Sequence, residues 1–330
     1  MSCIPEPVVG ESLSSWIFRV QLIKREYLDL SSFDKSNPFT ELGSKSAENV
    51  DPDVNSLDAL INDFSSTYDV PKSYLLDKFQ RSTQPIMAKH YSSAYCYECI
   101  ASSIRTIGAP HMKVAWCFAL APVCTVHGKV LNDRPSYSSS VESSPRQVFL
   151  WHTENLFSSK LKWRERASYD VVSALALRVQ NLHESIRASA INTKRQCMID
   201  NFILTIVRAL LMPSVSCFYS NRFQSETRLG NNNSFSDSWF RSFFHNVFLA
   251  SASERAIAMC LTGVLLGWIT NEEAELLQPV YDREQNITQN IWTVFKSDAN
   301  MLHWLKFELL RNETDLLSLA QLSNKPGSWK

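Results

Sequence analysis

The sequence predicts a mainly α-helical protein in three parts, on three observations. Glycine is scarce, 8 of 330 residues, or about 2% against a usual share of about 7%. That disfavours β-propellers, collagen-like chains and phosphate-cradling loops. Apolar residues make up 45% and charged residues 20%, which marks a globular chain with a sizeable core. Apolar positions also recur at helical spacing along most of the chain. The three parts are an N-terminal helical domain of helix-turn-helix form over residues 1–88, a small cysteine-bearing module with a linker over 89–165, and a C-terminal helical domain over 166–330.

The first helix is expected over residues 11–26. Leu13, Trp16, Ile17, Val20 and Ile23 fall on one face, and Ser12 suits the N-cap behind Gly10. Leu13, Trp16, Ile17 and Val20, with Trp116 further on, are expected core residues. Arg19 sits beside the stripe, as a structural ion-pair partner or an interface contact. Residues 34–54 are polar and read as loop. A second helix carries Leu57, Leu60, Ile61 and Phe64. After Thr67 the chain turns, and Pro71 opens a short helix with Leu75, Leu76 and Phe79.

Helix, short turn, helix is the form of a helix-turn-helix. The second helix, with Lys72, Lys78 and the neighbouring Arg81, could read nucleic acid. Residues 1–88 nevertheless hold 8 Lys/Arg against 13 Asp/Glu, a balance of −5, which favours a plain αα-hairpin. Residues 89–212 hold 15 against 8, or +7, so a polyanionic partner is expected to meet the middle of the chain.

Residues 132–147, rich in Ser with two Pro, read as linker or long loop. From Tyr169 the chain is expected to run as helix after helix. Val172, Leu175, Val179 and Leu182 form one stripe, and Met198, Phe202, Ile206 and Leu210 another. Residues 213–236 read as loop. Residues 239–249, 254–266 and 290–310 are further helical candidates. Gly267 can end a helix, and Thr270 with Glu273 forms a capping box for the next. This is a second helix-turn-helix-like unit. Its Glu272, Glu273 and Glu275 suit a helix N-terminus but not a DNA groove, so it reads as a packing or protein-contact element.

Cys96-Tyr97-Glu98-Cys99 and Cys124-Thr125-Val126-His127 are two C-x-x-[C/H] knuckles with 24 residues between them. This is the spacing of a zinc-ribbon-like Cys₃His site, with two ligands from each tight turn. Four protein ligands leave no open position, so one structural Zn²⁺ is expected, holding a segment too small for its own core. The competing reading is that the cysteines fall at this spacing by chance, since a buried free Cys is common. Cys117 is a possible substitute ligand, although packing suits it better. Cys197, Cys217 and Cys260 read as buried hydrophobes.

At these residues the chain resembles the TniQ family of transposition proteins. The family's E-S-L-x-S-W-x-x-R motif stands here as Glu11-Ser12-Leu13-Ser14-Ser15-Trp16-Ile17-Phe18-Arg19. Its zinc module stands as Cys96-Tyr97-Glu98-Cys99, Trp116, then Val123-Cys124-Thr125-Val126-His127-Gly128-Lys129-Val130-Leu131. The resemblance covers residues 1–131, and Tyr97 replaces the family's usual Pro. It implies a target-selection adaptor that links a site-recognising element to an AAA+ ATPase of the TnsC type, which recruits the transposase. Some members resemble TnsD and bind attachment-site DNA. Others, in CRISPR-associated Tn7-like transposons, dock as a homodimer on a crRNA-guided Cascade complex. Neutral net charge and the acidic first segment favour the docking kind over a sequence-specific DNA binder.

An enzyme is not expected. G-x-x-x-x-G-K-[ST], G-x-S-x-G and H-E-x-x-H are all absent from the sequence. No basic n-region precedes an apolar run, and the longest apolar stretch, residues 256–269, falls short of the ~18–20 residues of a membrane span. A cytoplasmic, prokaryotic protein without membrane contact is expected, and its cysteines should be reduced or metal-bound. Lys160, Lys162, Arg164 and Arg166 alternate with Leu161, Trp163 and Glu165. If extended, they share one face, as a row for an RNA or DNA backbone or as a charged edge strand that resists aggregation.

Overall fold

The structure is a computed structural model. It describes residues 4–24, 57–79, 82–87, 94–133, 149, 152, 167–211, 246–248 and 250–277. Several expectations lie outside these residues: the 34–54 and 213–236 loops, most of the 132–147 linker, the 290–310 helix, Cys217, and the row Lys160, Lys162, Arg164 and Arg166. Among the described residues the chain is helical, with isolated antiparallel bridges and no strand. It falls into two compact units. One comprises Met1–Ser82, Ile86–Phe118 and Leu131–Lys162; the other comprises Thr83–Pro85, Ala119–Val130 and Trp163–Lys330.

The first unit contains α1 (Leu13–Lys24), α2 (Leu57–Tyr68), α3 (Lys72–Lys78) and α4 (Tyr97–Ile107). Ser12 caps α1, its Oγ accepting the Ser15 N–H at 3.3 Å. Leu13, Trp16, Ile17 and Val20 are buried and form a core with Ile61, Phe64, Leu75 and Phe79. The Trp16 ring lies 4.8 Å from Phe64 and 5.4 Å from Phe79, centroid to centroid. Trp116 is buried in the short 3₁₀ turn Val114–Cys117. Asp69 turns the chain between α2 and α3 in the left-handed region, φ 53°. The α3 helix has two turns, so Leu75 and Phe79 point inward while Leu76 is 51% exposed. Leu76 therefore lies off the buried face of the short helix, and Ile23, 43% exposed, outruns the core at the end of α1.

The E-S-L-x-S-W-x-x-R motif is a buried polar knot. The Glu11 carboxylate accepts Arg19 Nε at 3.0 Å and Nη2 at 2.7 Å, the Val8 N–H at 2.9 Å and the Ser15 hydroxyl at 3.4 Å. Arg19 also donates to the Glu6 carbonyl at 2.7 Å, and the Trp16 indole N–H to the Pro5 carbonyl at 2.7 Å. Ser15 Oγ accepts the Met112 N–H at 2.7 Å. Arg19 is thus a structural ion-pair partner, resolving the two alternatives read from the sequence.

The second unit contains α5 (Ala167–Ala188), α6 (Thr193–Leu210), α7 (Ala252–Leu265) and α8 (Asn271–Glu275). The three long helices α5, α6 and α7 pack against one another. Asn192 caps α6 by accepting the Arg195 N–H at 2.9 Å. Ser251 and Glu254 form a capping box on α7, and Thr270 and Glu273 form the expected one on α8. Gly267 ends the turn after α7 at φ +69°. The long apolar stretch of the sequence is mostly α7, buried on nearly every side, as a helix apolar all round must be.

The buried face of α5 differs from the sequence stripe. Val172, Leu175 and Val179 are buried, but Leu182 is 36% exposed. The buried arc is rotated toward Ser173, Ala176, Gln180 and His183, three of which are polar and so invisible to an apolar pattern. His183 Nε2 lies 2.9 Å from Asp200 Oδ1, and Arg187 Nε donates to Asp200 Oδ2 at 3.0 Å, which joins α5 to α6. Along α6, Phe202, Ile206 and Leu210 are buried and Met198 is half-buried.

Candidate metal centre

The two knuckles are built differently. Cys96 is the N-cap of α4, in extended backbone, and Cys99 lies in the helix's first turn. The first knuckle is therefore a helix start, not the free-standing turn the spacing suggested. A helix N-terminus carries partial positive charge, which favours anionic groups such as a ligating thiolate. The residue before it, Tyr95, is fixed by Asn132: backbone N–H to carbonyl bonds run both ways, at 2.9 and 2.7 Å. The Asn132 amide adds a bond to the Tyr95 carbonyl at 3.2 Å.

The second knuckle is a tight turn, as expected. The Cys124 carbonyl accepts the Gly128 N–H at 2.8 Å, and the Cys124 N–H donates to the Lys129 carbonyl at 2.8 Å. Gly128 takes φ +61°, a left-handed conformation that glycine adopts without a Cβ penalty. Val123 and Val130 bridge at the base of the turn.

One ligand atom from each of Cys96, Cys99, Cys124 and His127 lies within 4.8 Å of the others. The three thiols are buried and the imidazole reaches solvent. Cys124 Sγ and His127 Nδ1 are 3.8 Å apart. Bonds of ~2.3 and ~2.1 Å meeting at a tetrahedral angle would set them about 3.6 Å apart. The donor set and its spacing are thus compatible with one closed metal site. Three soft thiolates and one imidazole suit zinc-type coordination. A carboxylate stands beside the set, with Cys96 Sγ 3.4 Å from Glu98 Oε2.

Cys117 is not in the cluster. It is buried in the 3₁₀ turn, and its carbonyl accepts the Met87 N–H at 2.7 Å, so it serves packing. Cys260 is buried in α7, where burial pushes its thiol above the usual range; Cys197 is only half-buried. His152 was not singled out in the sequence. It is 1% exposed and packs on Tyr97 at 4.5 Å and Tyr95 at 6.5 Å between ring centroids. Burial lowers its pKa and keeps the ring neutral over this end of α4.

Among the described residues, fold and site together give a mainly helical protein with a Cys₃His cluster that could hold a metal ion. Residues 3–131 match the TniQ family model. That match contains both the Glu11–Arg19 knot and all four residues of the Cys₃His cluster. No curated protein and no solved structure matches the chain. No helix among the described residues is long and apolar enough to cross a membrane.

Proposed function

We propose that the protein is a non-enzymatic target-selection adaptor of a CRISPR-associated, Tn7-like transposon. It joins a crRNA-guided Cascade complex to the AAA+ ATPase of the TnsC type, and through that ATPase to the transposase. The TniQ domain with its complete ligand set is the observation that carries this reading. The adaptor works in the cytoplasm as a homodimer. Its Cys₃His cluster holds one structural Zn²⁺ in a zinc-ribbon-like module, and Lys160, Lys162, Arg164 and Arg166 face nucleic acid within the assembly. Co-purification with the crRNA-bound complex and with the ATPase, alongside weak gel shifts of bare duplex at stated salt, is the expected outcome. Tight, sequence-specific retention of bare duplex with no retention by the guide complex would reject it.

That second outcome belongs to the alternative, an attachment-site DNA-binding protein. The observation favouring it is the outer face of α3, the short helix after α2, where Lys72, Ser73 and Lys78 are exposed. For the metal, the expectation is about one zinc per chain, the capacity of one closed four-ligand site. Cys99→Ser should lower zinc content and solubility together. Full zinc in a Cys96/Cys124 double variant would overturn the ligand assignment.

A further inference from the structure

One face of α5 runs along the second knuckle. Asp170, Ser173, Leu177 and Gln180 follow one another at i, i+3, i+7 and i+10, so they share that face. The Gln180 carboxamide accepts the Val123 N–H and donates to the Val123 carbonyl, both at 3.2 Å. Val123 is the residue before Cys124, and Gln180 is only 3% exposed. Ser173 Oγ accepts the Val130 N–H at 3.4 Å, and Lys129 Nζ reaches Asp170 Oδ1 at 2.6 Å. Between them a side chain at Gly128 would meet Leu177 Cδ2 at 3.7 Å. The hydrogen bonds of Gln180, Ser173 and Asp170 therefore all fall on residues 123–130, the loop that presents Cys124 and His127.

We infer that α5 positions the second ligand pair, with Gln180 as the principal positioning residue. This rests on the metal reading of the Cys₃His cluster. The consequence is that the metal site depends on a helix beyond residue 131, where the TniQ match ends. The physical reason is the backbone of Val123: both of its polar groups are satisfied by one buried carboxamide. If that carboxamide is removed, two buried backbone groups lose their partners, and the turn must reorient to regain them. Cys124 moves with it.

The test uses the full chain, stripped of metal and titrated with Zn²⁺ against a chromophoric chelator, and with Co²⁺ read by its ligand-field and thiolate charge-transfer bands. Gln180→Leu keeps the volume and removes both hydrogen bonds. It is expected to weaken Zn²⁺ binding by about 10–100-fold, the usual effect of losing a supporting contact around a metal, and to shift or weaken the Co²⁺ bands. Val179→Ala, one residue away in the α5 core, should lower Tm yet leave affinity and bands as in the parent. Ser173→Ala, a milder change that keeps the fold, should lose affinity a few-fold. Parent-like affinity and bands in both Gln180→Leu and Ser173→Ala overturn the inference. If the parent chain itself gives no thiolate charge-transfer band with Co²⁺, the metal reading falls, and the role of α5 falls with it.

Discussion

The side chains of Glu11 and Arg19 are only 0% and 2% exposed, and each is held by the other and by backbone groups. Breaking such a pair strands a buried charge. Arg19→Ala is therefore expected to cost about 3–5 kcal/mol of stability, and replacing both partners with apolar side chains should cost less than that single change. Denaturant unfolding of the single and double variants checks the order. Trp16→Ala removes a fully buried indole from the α1–α2–α3 core and should cost about 3–5 kcal/mol, visible as a lower Tm. His111 offers a pH test. Burial, with the charges of Lys113 and Arg19 adding, holds its pKa down to about 4. The unfolded chain takes this proton near pH ~6.5 and the folded chain resists it. Stability from this residue is thus full above ~6.5 and drains as pH falls toward 4. His111→Gln should flatten that part of the Tm profile; an unchanged slope would reject the assignment.

At the level of elements, Gly263 lies within α7. A Cβ there would sit 2.5 Å from Val179 Cγ2 of α5 and 2.8 Å from Ile269 Cδ1. A mid-helix Gly→Ala change ordinarily stabilises by roughly 0.5–1 kcal/mol. Here the stiff Val side chain cannot yield cheaply, so Gly263→Ala is expected to destabilise by about 1–3 kcal/mol. The α8 capping box is tied to α5 by Arg178, which reaches Glu273 Oε2 at 2.7 Å and the Trp268 carbonyl at 2.9 Å. The hydrogen bond from Arg178, aided by the Thr270 backbone, holds the Glu273 carboxyl at about 2. Its contribution is complete above ~4.5 and is lost as pH falls from there to about 2. Arg178→Ala should remove that acid limb, and added salt should blunt it because the pair is partly exposed. Thermal melts across that range decide.

For the whole molecule, the punctuation of the fold was legible in the sequence. The Ser12 cap, Pro71, Gly267 and the Thr270–Glu273 box are local signals, each satisfied by its near neighbours. The clustering of Cys96, Cys99, Cys124 and His127 was equally plain, because metal chemistry restricts residue type and spacing. What escaped were partnerships across sequence distance. Gln180 bonds a backbone 57 residues away, and no side-chain pattern records a peptide group as a partner. The Ser173, Gln180 and His183 face of α5 was hidden because polar residues were assumed to face water. Glu11 gave one signal, a carboxylate eight residues before an arginine, too far apart to be read as a helical pair. The proposed homodimer belongs to this scale as well. Light scattering across micromolar concentrations should show twice the monomer mass, and monomer throughout would exclude it.

The dependence of Cys124 and His127 on α5 also sets an order in time. A ribosome delivers the first ligand pair, then the second, and only afterwards the helix that holds the second in place. From Gly128 to Ala188 is 61 residues, about 3–12 s of synthesis at ~5–20 residues per second. Throughout that interval the nascent chain carries all four ligands but lacks the support of α5. The Val123 backbone then lacks the carboxamide that holds it in the folded chain. On the proposed metal reading, the last stretch of translation through α5, more than the appearance of the fourth ligand, is the moment at which this centre becomes committed to its ion.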